Sequence, residues 1–333
     1  MRNSNSAIIG IDLGGTNLRF ALLDMSGTIL IRDRQPTEID RGKDALLHRL
    51  TAGIAGIRDK AAGIGLKVRA IGAGAPGLIL KDGTILSSVN LAPLEGLNLR
   101  SYLELQSGLP VTVANDANAA AYGEKSFGAG KPFSSFLLLT IGTGVGSGLI
   151  LDNKVWTGAD GLAAEYGHAT IVPDGRSCPC GNKGCLEQYA SANAIVLSAL
   201  EAVQLGRGGP LASYSTGEIT AETVARHAFA GDPLSLEIFN EAGRFLGIAA
   251  ASTVNLLNIE AILIGGGVAR SFGLLAGPML RELSARAYNA IAARVKIISG
   301  ALGDDAGCIG SAVLAMNSIT RLNRLRLYKK QGE

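Results

Sequence analysis

The chain lacks the features that mark secreted, membrane-bound or nucleic-acid-binding proteins. Its first residues, Met1–Ser6, are polar and form no signal peptide. The longest apolar stretch, Phe136–Leu151, is interrupted by four glycines and cannot form a membrane-spanning helix. The net charge of the 333 residues is only +3, too small for nucleic acid to be the main partner. These absences predict a cytoplasmic protein that binds neither membrane nor nucleic acid.

Flexible linkers and a P-loop are also missing. No segment rich in proline or serine separates modules, and the 45 glycines are dispersed in turns. Because 47% of the residues are apolar, the chain can form two hydrophobic cores, and we expect two lobes in close contact. No GxxxxGK[ST] pattern occurs, which excludes a P-loop nucleotide site. The only basic cluster is expected to be a solvated helix end; it comprises Arg321, Arg324, Arg326, Lys329 and Lys330.

Cysteine is scarce, yet three of the four cysteines lie within eight residues, at positions 178, 180 and 185. Together with His168, Cys178, Cys180 and Cys185 form a Cys3His set, the composition of a closed structural zinc site. Clustered cysteine and histidine in an intracellular chain usually bind metal. The alternatives are small buried apolar side chains or a disulfide pair. Cys308 stands alone and is expected in the core.

Two glutamates flank this cluster without being needed as metal ligands. Glu165 precedes His168 by three positions, and Glu187 follows Cys185 by two. Carboxylates accept hydrogen bonds from paired hydroxyl groups. A polyhydroxylated ligand is therefore a good candidate for this region.

Strands alternate with helices along the chain, which predicts an α/β fold; adjacent hairpins predict mixed sheets. The strands are expected at 7–12, 19–24, 68–72, 78–80, 111–113, 135–141 and 261–264. The helices are expected at 44–60, 117–125, 191–205, 221–230, 234–256 and 277–291.

Two segments resemble each other. Each is an apolar strand, a glycine turn and a second strand: Ile9–Asn17 continues into Leu18–Leu23, and Leu138–Gly146 continues into Ser147–Leu151. Glycine turns let backbone N–H groups approach a phosphate, and the hydroxyl groups of Thr16 and Thr143 would add donors. Either turn alone could be an ordinary hairpin with a bulge. Two such units in two lobes indicate a duplicated fold that closes on a nucleotide.

A GxGxxG match at Gly72–Gly77 does not predict a dinucleotide site. That fingerprint requires a helix after the glycines, whereas Leu78–Leu80 is apolar and is expected to be a strand. We expect either a close backbone approach to a ligand or a tight turn within the sheet.

Asn115 and Asp116 stand between an apolar strand and an alanine-rich helix. Both residue types are good helix N-caps. A carboxylate at a helix start is also fixed in direction and kept ionised by the helix dipole, which suits a general base. The pattern is compatible with both roles.

These motifs together resemble the ROK family of sugar kinases, in particular its bacterial glucokinases. The resemblance covers nearly the whole chain in the family's order. Its segments are 12–17 (DLGGTN), 74–77 (GAPG), 115–120 (NDANAA), 140–146 (TIGTGVG), 164–168 (AEYGH), 178–187 (CPCGNKGCLE) and 264–267 (IGGG). Glutamate often precedes Asn-Asp in the family, and here the residue is Ala114.

The resemblance implies a two-lobed ATPase fold of the actin/hexokinase/Hsp70 type, with duplicated ribonuclease H-like lobes and a zinc knuckle. The smaller α/β lobe would span 1–116 and be joined by the C-terminal helix at about 306–333; the larger lobe would span 117–305. A homodimer is expected from the family.

The resemblance also implies the roles of individual residues. Asp116 would be the catalytic base. The sugar contacts would be Asn90, Asn115, Asp116, Glu165, His168 and Glu187. The zinc ligands would be His168, Cys178, Cys180 and Cys185. The contacts to ATP and Mg²⁺ would be Asp12, Gly14, Gly15, Thr16, Asn17, Gly142, Thr143, Gly144, Gly265, Gly266 and Gly267.

The implied reaction is ATP-dependent phosphorylation of a hexose, with glucose as the leading substrate. N-acetylmannosamine, N-acetylglucosamine and fructose kinases of the family share the same set of residues. A ROK sugar-sensing transcriptional regulator is the alternative from another class, but it would carry a helix-turn-helix before the first glycine turn, and only six residues precede the first strand. A catalytically dead sugar-binding protein is disfavoured by the presence of Asp116 and both turns.

Overall fold

The computed structural model describes the backbone of residues 5–331 and the side chains of residues 5–320. By internal contacts the chain forms two units. The first comprises residues 5–131, 154–164 and 304–331, and the second comprises 132–153 and 165–303. The expected boundary after residue 116 differs from this division, since residues 117–131 group with the first unit. The basic cluster predicted as a solvated helix end lies outside the residues whose side chains are described.

The first unit is built from strands and helices that alternate in sequence. They are β1 (Ser6–Leu13), β2 (Asn17–Asp24), β3 (Ile29–Pro36), α1 (Lys43–Gly63), β4 (Lys67–Ala75), β5 (Leu78–Ile79), β6 (Ile85–Ser87), α2 (Leu99–Ser107), β7 (Val111–Asn115), α3 (Asp116–Phe127), β10 (Lys154–Val155) and α10 (Ala306–Gln331).

The second unit follows the same principle. Its elements are β8 (Phe136–Ile141), β9 (Val145–Leu151), α4 (Glu187–Ala190), α5 (Ala192–Gln204), α6 (Ala221–Phe229), α7 (Pro233–Leu257), β11 (Ala261–Gly265), α8 (Phe272–Arg286), α9 (Asn289–Ala292) and β12 (Lys296–Ser299).

The sheets of the two units repeat one arrangement. In the first unit the strand order is β3-β2-β1-β4-β7, with β1 antiparallel to β2 and parallel to β4. In the second unit β9, β8, β11 and β12 lie side by side, with β8 antiparallel to β9 and parallel to β11. Each sheet therefore combines antiparallel hairpin strands with parallel neighbours. The mixed α/β architecture and the two strand–turn–strand units are as the sequence predicts.

The interior of the first sheet explains why its strands read as continuous apolar runs. The residues of β1 from Ala7 to Ile11 are buried, because helices cover both faces of parallel strands in such folds. One apolar cluster joins β1, β2 and β4 to α1 and α2. The carboxyl ends of the strands, where polar residues begin, are thus held by a rigid core.

Glycines bring α10 unusually close to this sheet. A side chain at Gly10 of β1 would overlap the backbone oxygen of Cys308, and one at Gly72 of β4 would overlap that of Ser311. Gly310 of α10 faces Ala119 and Gly123 of α3 in the same way. Gly72 is thus a close backbone approach to a helix rather than to a ligand, and the strand β5 follows the segment as predicted. The helix α3 belongs with the first unit because it packs along α10.

One helix prediction was wrong in its bounds. A single helix was expected at 277–291, but α8 begins at Phe272 and ends at Arg286, and a separate α9 follows. Ala287 is extended, with φ −84° and ψ 155°. Asn255 of α7 stabilises this break, since its amide donates to the Arg286 carbonyl (3.2 Å) and accepts from the Tyr288 N–H (3.0 Å).

Among the described residues, no helix combines the length and the apolar character needed to cross a membrane. The cytoplasmic location stays a prediction.

Candidate active site

The start of α3 separates the two roles that the sequence allowed for Asn115 and Asp116. Asn115 is the N-cap, because its Oδ1 accepts from the Asn118 N–H (3.0 Å) while its Nδ2 donates to the Gly77 carbonyl (3.1 Å). Asp116 is the first helical residue, and its Oδ1 accepts from the Ala117 N–H (2.8 Å). The cap is therefore supplied without Asp116, whose second carboxylate oxygen is left for other partners.

The environment of Asp116 alters its acidity. Burial, and then the negative charge of Asp12, raise the pKa of Asp116 to about 6. Its hydrogen bond with Ala117 works in the opposite direction and is the weaker effect. An aspartate with a pKa near 6 is still ionised at neutral pH, yet it is more basic than an ordinary carboxylate, which suits proton abstraction.

Asp12, the second-to-last residue of β1, lies opposite Arg19 of β2, and the two form an ion pair with an N–O distance of 3.0 Å. The Nη2 atom of Arg19 also lies 3.7 Å from the Oδ2 atom of Asp304, a residue just before α10. Burial raises the pKa of Asp12, and Arg19 partly opposes this shift. The arginine thus holds the carboxylate at the mouth of the first glycine turn.

The first glycine turn, Gly14–Asn17, is fixed by Thr37, which directly follows β3. The Thr37 hydroxyl donates to the Gly14 carbonyl (2.6 Å), and its N–H donates to the Thr16 carbonyl (2.9 Å). With the carbonyls engaged in this way, Thr16 stays exposed at the tip. Asn90 packs over the turn, since a methyl group at Gly15 would lie 3.2 Å from the Asn90 Cβ.

The second glycine turn, Gly142–Gly144, joins β8 to β9 and likewise exposes its threonine, Thr143. The Gly142 N–H donates to the Gly144 carbonyl (2.9 Å), which closes the turn. The third glycine segment, Gly265–Gly267, follows β11 beside it, and Gly266 adopts a φ of 78° against the backbone of Ile141. The structure therefore brings both predicted glycine segments of this unit to one edge of the sheet.

The segment that carries Glu165 and His168 is anchored to β9. The Tyr166 N–H donates to the Ser147 hydroxyl (2.9 Å), and Gly167 packs directly on the Val145 backbone. The Tyr166 hydroxyl reaches the Ala249 carbonyl of α7 (2.7 Å). This anchoring places Glu165 and His168 next to the strand that leaves the second glycine turn.

The four predicted metal ligands converge. The ligand atoms of His168, Cys178, Cys180 and Cys185 all lie within 4.8 Å of one another, and none of the cysteines forms a disulfide. Cys180 and Cys185 have their sulfurs 3.7 Å apart, and the Cys178 sulfur is 3.7 Å from the His168 Nδ1. Tetrahedral zinc with Zn–S bonds of about 2.3 Å requires ligand separations of about 3.8 Å. The donor types and their spacing fit a zinc ion.

Glu187 lies on the second glycine turn. Its Oε2 accepts from the Val145 N–H (2.9 Å), and a side chain at Gly144 would overlap the same oxygen. Glu187 is also the first residue of α4, two positions beyond Cys185. The structure therefore joins three predicted features: the cysteine cluster, a sugar-contact carboxylate and a phosphate turn.

Two supporting residues were missed by sequence reasoning. Arg19 could have been found from the hairpin register, because a short turn after Asp12 places Arg19 directly opposite it. Thr37 lies 21 positions beyond Thr16, and no local pattern indicates its contact with the first turn. The predicted site residues themselves fall into two groups, one in each unit. Asp12, 14–17, Asn90, Asn115 and Asp116 lie in the first unit, and the other predicted residues lie in the second.

Comparison with known proteins gives a consistent family. A family model described as the ROK family matches residues 8–318. The glucokinase of Halalkalibacterium halodurans is 38% identical over 314 residues, which cover 92% of this chain and 94% of that protein.

Solved structures agree with this match. A ROK family glucokinase from Streptomyces griseus, solved with glucose and AMPPNP, has a TM-score of 0.78 and 34% identity, covering 93% of this chain and 99% of that one. A ROK family transcriptional regulator has a TM-score of 0.86 and 30% identity, covering 95% of this chain and 78% of that one. The two-lobed α/β fold of ROK sugar kinases, predicted from the motifs, is confirmed. The chain belongs to the ROK family.

Proposed function

We propose that this protein is an ATP-dependent glucokinase that converts glucose to glucose 6-phosphate. The observation that carries the proposal is Asp116, held at the start of α3 with a raised pKa while Asn115 supplies the helix cap. Similarity to a curated glucokinase over most of both chains supports the choice of glucose.

Asp116 accepts the proton of the sugar's primary hydroxyl as that oxygen attacks the γ-phosphorus of ATP, while the bond from this phosphorus to the bridging oxygen breaks and ADP leaves. Proton removal by a positioned base contributes about 10²–10⁴ in rate. Phosphoryl transfer otherwise depends on positioning and charge neutralisation. The sugar is oriented by Asn90, Asn115, Glu165, His168 and Glu187.

The phosphates of ATP lie against the turns Gly14–Asn17 and Gly142–Gly144, and Gly265–Gly267 completes the nucleotide site. Exposed hydroxyl groups at Thr16 and Thr143 support this assignment. Mg²⁺, when bound, neutralises the phosphate charge, and Asp12 would hold it through water.

Zinc has a structural part in this proposal. His168, Cys178, Cys180 and Cys185 would hold the ion in a closed site, where it takes no part in the reaction. The bound ion would fix the segments that carry Glu165 and Glu187, because these residues lie close in sequence to the ligands His168 and Cys185. We also propose a homodimer, which light scattering of the purified protein would test.

A coupled assay of ADP release tests the activity. The purified chain is given ATP, Mg²⁺ and, in turn, glucose, fructose, mannose, N-acetylglucosamine and N-acetylmannosamine. Glucose is expected to give the highest kcat/KM, and a higher value for an N-acetylhexosamine or for fructose would reassign the substrate. Similarity to a ROK transcriptional regulator makes sugar binding without phosphorylation the second candidate function. Glucose binding with no ADP release would favour that candidate.

A further inference from the structure

The carboxylate of Glu187 occupies the space beside Gly144 that a side chain would otherwise fill. Its Oε2 accepts from the Val145 N–H at 2.9 Å, and any Cβ at position 144 would collide with that oxygen. A charge-assisted hydrogen bond to a backbone N–H is among the stronger single contacts in a protein. Glu187 therefore fixes the exit of the second glycine turn.

The same stretch of chain fixes the entry of this turn. The Ala192 N–H donates to the Gly142 carbonyl at 2.8 Å, and Ser191 caps α5 by accepting from the Ala194 N–H at 3.1 Å. Glu187 is the first residue of α4, and Ala192 begins α5 only five positions later. The turn is thus clamped at both ends by residues that directly follow Cys185.

The first unit contains a counterpart of this contact. Asn90 lies over Gly15, with its Cβ 3.2 Å from the position of a methyl group there. In each unit, a side chain assigned to the sugar rests on the glycine of a turn assigned to the phosphates. Each unit therefore places one side chain assigned to the sugar against a glycine of its turn, although at different points of the turn: Gly15 precedes Thr16, and Gly144 follows Thr143.

We propose that Glu187 is a positioning residue for the turn Gly142–Gly144, and that sugar and nucleotide bind with positive coupling through it. This inference rests on the proposed function, which assigns Glu187 to the sugar and the turn to ATP. Sugar hydroxyls bound at Oε1 fix the carboxylate, and the carboxylate then fixes the N–H of Val145. A turn already ordered in this way loses less conformational entropy when phosphates bind.

Coupling of this kind is reciprocal, so each ligand must tighten the other by the same factor. Titration calorimetry on the full wild-type chain measures this factor directly. Glucose is titrated with and without saturating AMPPNP and Mg²⁺, and AMPPNP is titrated with and without glucose. We expect a mutual increase in affinity of about 5- to 150-fold, the usual range of such couplings.

Three variants separate the two contacts of Glu187. Glu187→Gln keeps an oxygen that can accept from the Val145 N–H, so AMPPNP alone should bind nearly as it does to the wild type. The same variant loses the charged acceptor for the sugar hydroxyls, so its affinity for glucose should fall. Glu187→Ala removes both contacts, so the affinity for AMPPNP alone should also fall, by roughly tenfold. Gly144→Ala adds a methyl group in the nucleotide turn that displaces the Glu187 carboxylate. We expect this variant to bind glucose more weakly, although position 144 is not among the assigned sugar contacts.

Asn115→Ser is the matched control. It removes an amide assigned to the sugar but keeps a residue type that caps α3. Because Asn115 contacts Gly77 and Asn118 rather than the second turn, this variant should weaken glucose and leave the coupling factor unchanged.

The outcomes distinguish the inference from the proposed function. If the wild type binds both ligands independently, or if Glu187→Ala keeps the wild-type affinity for AMPPNP, the positioning role is wrong and the kinase assignment stands. If the wild type binds neither glucose nor AMPPNP, the proposed function is wrong and the inference fails with it.

Discussion

Asp116 combines a chemical role with a cost in stability, and one substitution separates them. In Asp116→Asn the amide can hydrogen-bond the sugar hydroxyl but cannot take its proton. We expect kcat to fall about 10²–10⁴-fold while the dissociation constant for glucose changes little. Steady-state kinetics and calorimetry of the variant measure both quantities. Turnover near that of the wild type would leave Asp116 without a role as base.

The same variant should be more stable than the wild type at high pH. Burial and the charge of Asp12 raise the pKa of Asp116 from 3.8 to about 6, so the native state holds the proton more tightly than the unfolded state does. This contribution to stability is complete below about pH 4 and is lost as the pH rises through 6. Urea unfolding should show that Asp116→Asn gains on the order of 2–3 kcal/mol, relative to the wild type, between pH 4 and pH 8. A pH-independent difference would mean that the pKa of Asp116 is ordinary.

Catalysis should respond to the same protonation. A general base must be ionised in the free enzyme. We therefore expect kcat/KM to decrease below about pH 6, and to fall about tenfold for each further pH unit. Measurement of kcat/KM for glucose from pH 4.5 to 8.5 tests this. Activity that stays nearly constant down to pH 4.5 would instead correspond to an unperturbed aspartate.

At the scale of elements, the cysteine knuckle (residues 178–185) can be tested by its metal content. All four ligands contribute to one closed site, so Cys180→Ser should lose zinc that the wild type holds at about one ion per chain. Glucose affinity should fall with it, because His168 and Glu187 are attached to the knuckle. Elemental analysis of protein purified without chelator gives the stoichiometry.

Cys308→Ala is the control for that experiment, since Cys308 is buried in the first unit beside the Arg19 carbonyl. It should keep its zinc. Full zinc occupancy in Cys180→Ser, or zinc-free protein with intact glucose binding, would contradict the assignment.

Sequence patterns predicted the strands and helices better than the contacts between them. The glycine turns and the predicted strands are local features, and the structure has them close to the predicted positions, whereas β3, α2 and β12 were not predicted. The end of α8 is set by Asn255, 31 residues away from Arg286, so periodicity could not reveal it. For the same reason the lobe boundary expected after residue 116 ignores the contact between α3 and α10.

In the candidate site, too, the sequence indicated residues that lie in short motifs but not contacts between residues that are far apart in the chain. The motifs brought Asp116, the cysteine cluster and both turns to attention because each is a compact run of residues. The contact of Glu187 with Val145 joins positions 42 residues apart. Thr37 and Asn90 also contact the first turn from distant positions in the chain, 21 residues beyond Thr16 and 75 residues beyond Gly15, and only the folded structure brings them there.

At the scale of the whole molecule, glycines allow α10 to pack closely against the first sheet and against α3. Gly310 is the glycine of α10 that faces α3. Gly310→Ala should destabilise the protein, because the added methyl group would overlap the Ala119 carbonyl. Overpacking of this kind costs about 1–3 kcal/mol. Urea unfolding should give a lower midpoint for the variant.

Gly56→Ala is the matched control, since Gly56 lies within α1 with open space around it. There the substitution should stabilise by about 0.5–1 kcal/mol, the usual advantage of alanine over glycine in a helix. Equal effects of the two substitutions would show that α10 does not pack as closely as described.

The position of α10 also dictates an order of events during synthesis. About 170 residues separate Lys131 from Asp304, which at 5–20 residues per second take about 10 to 30 s to translate. Throughout that interval the nascent first sheet lacks the helix that packs on Gly10 and Gly72, and we expect the face that α10 covers to be open to solvent. The second unit is emitted almost entirely before α10, so it can finish folding first although it begins later. A chaperone that shields nascent chains should therefore act on the early strands of this protein and release them once α10 has left the ribosome.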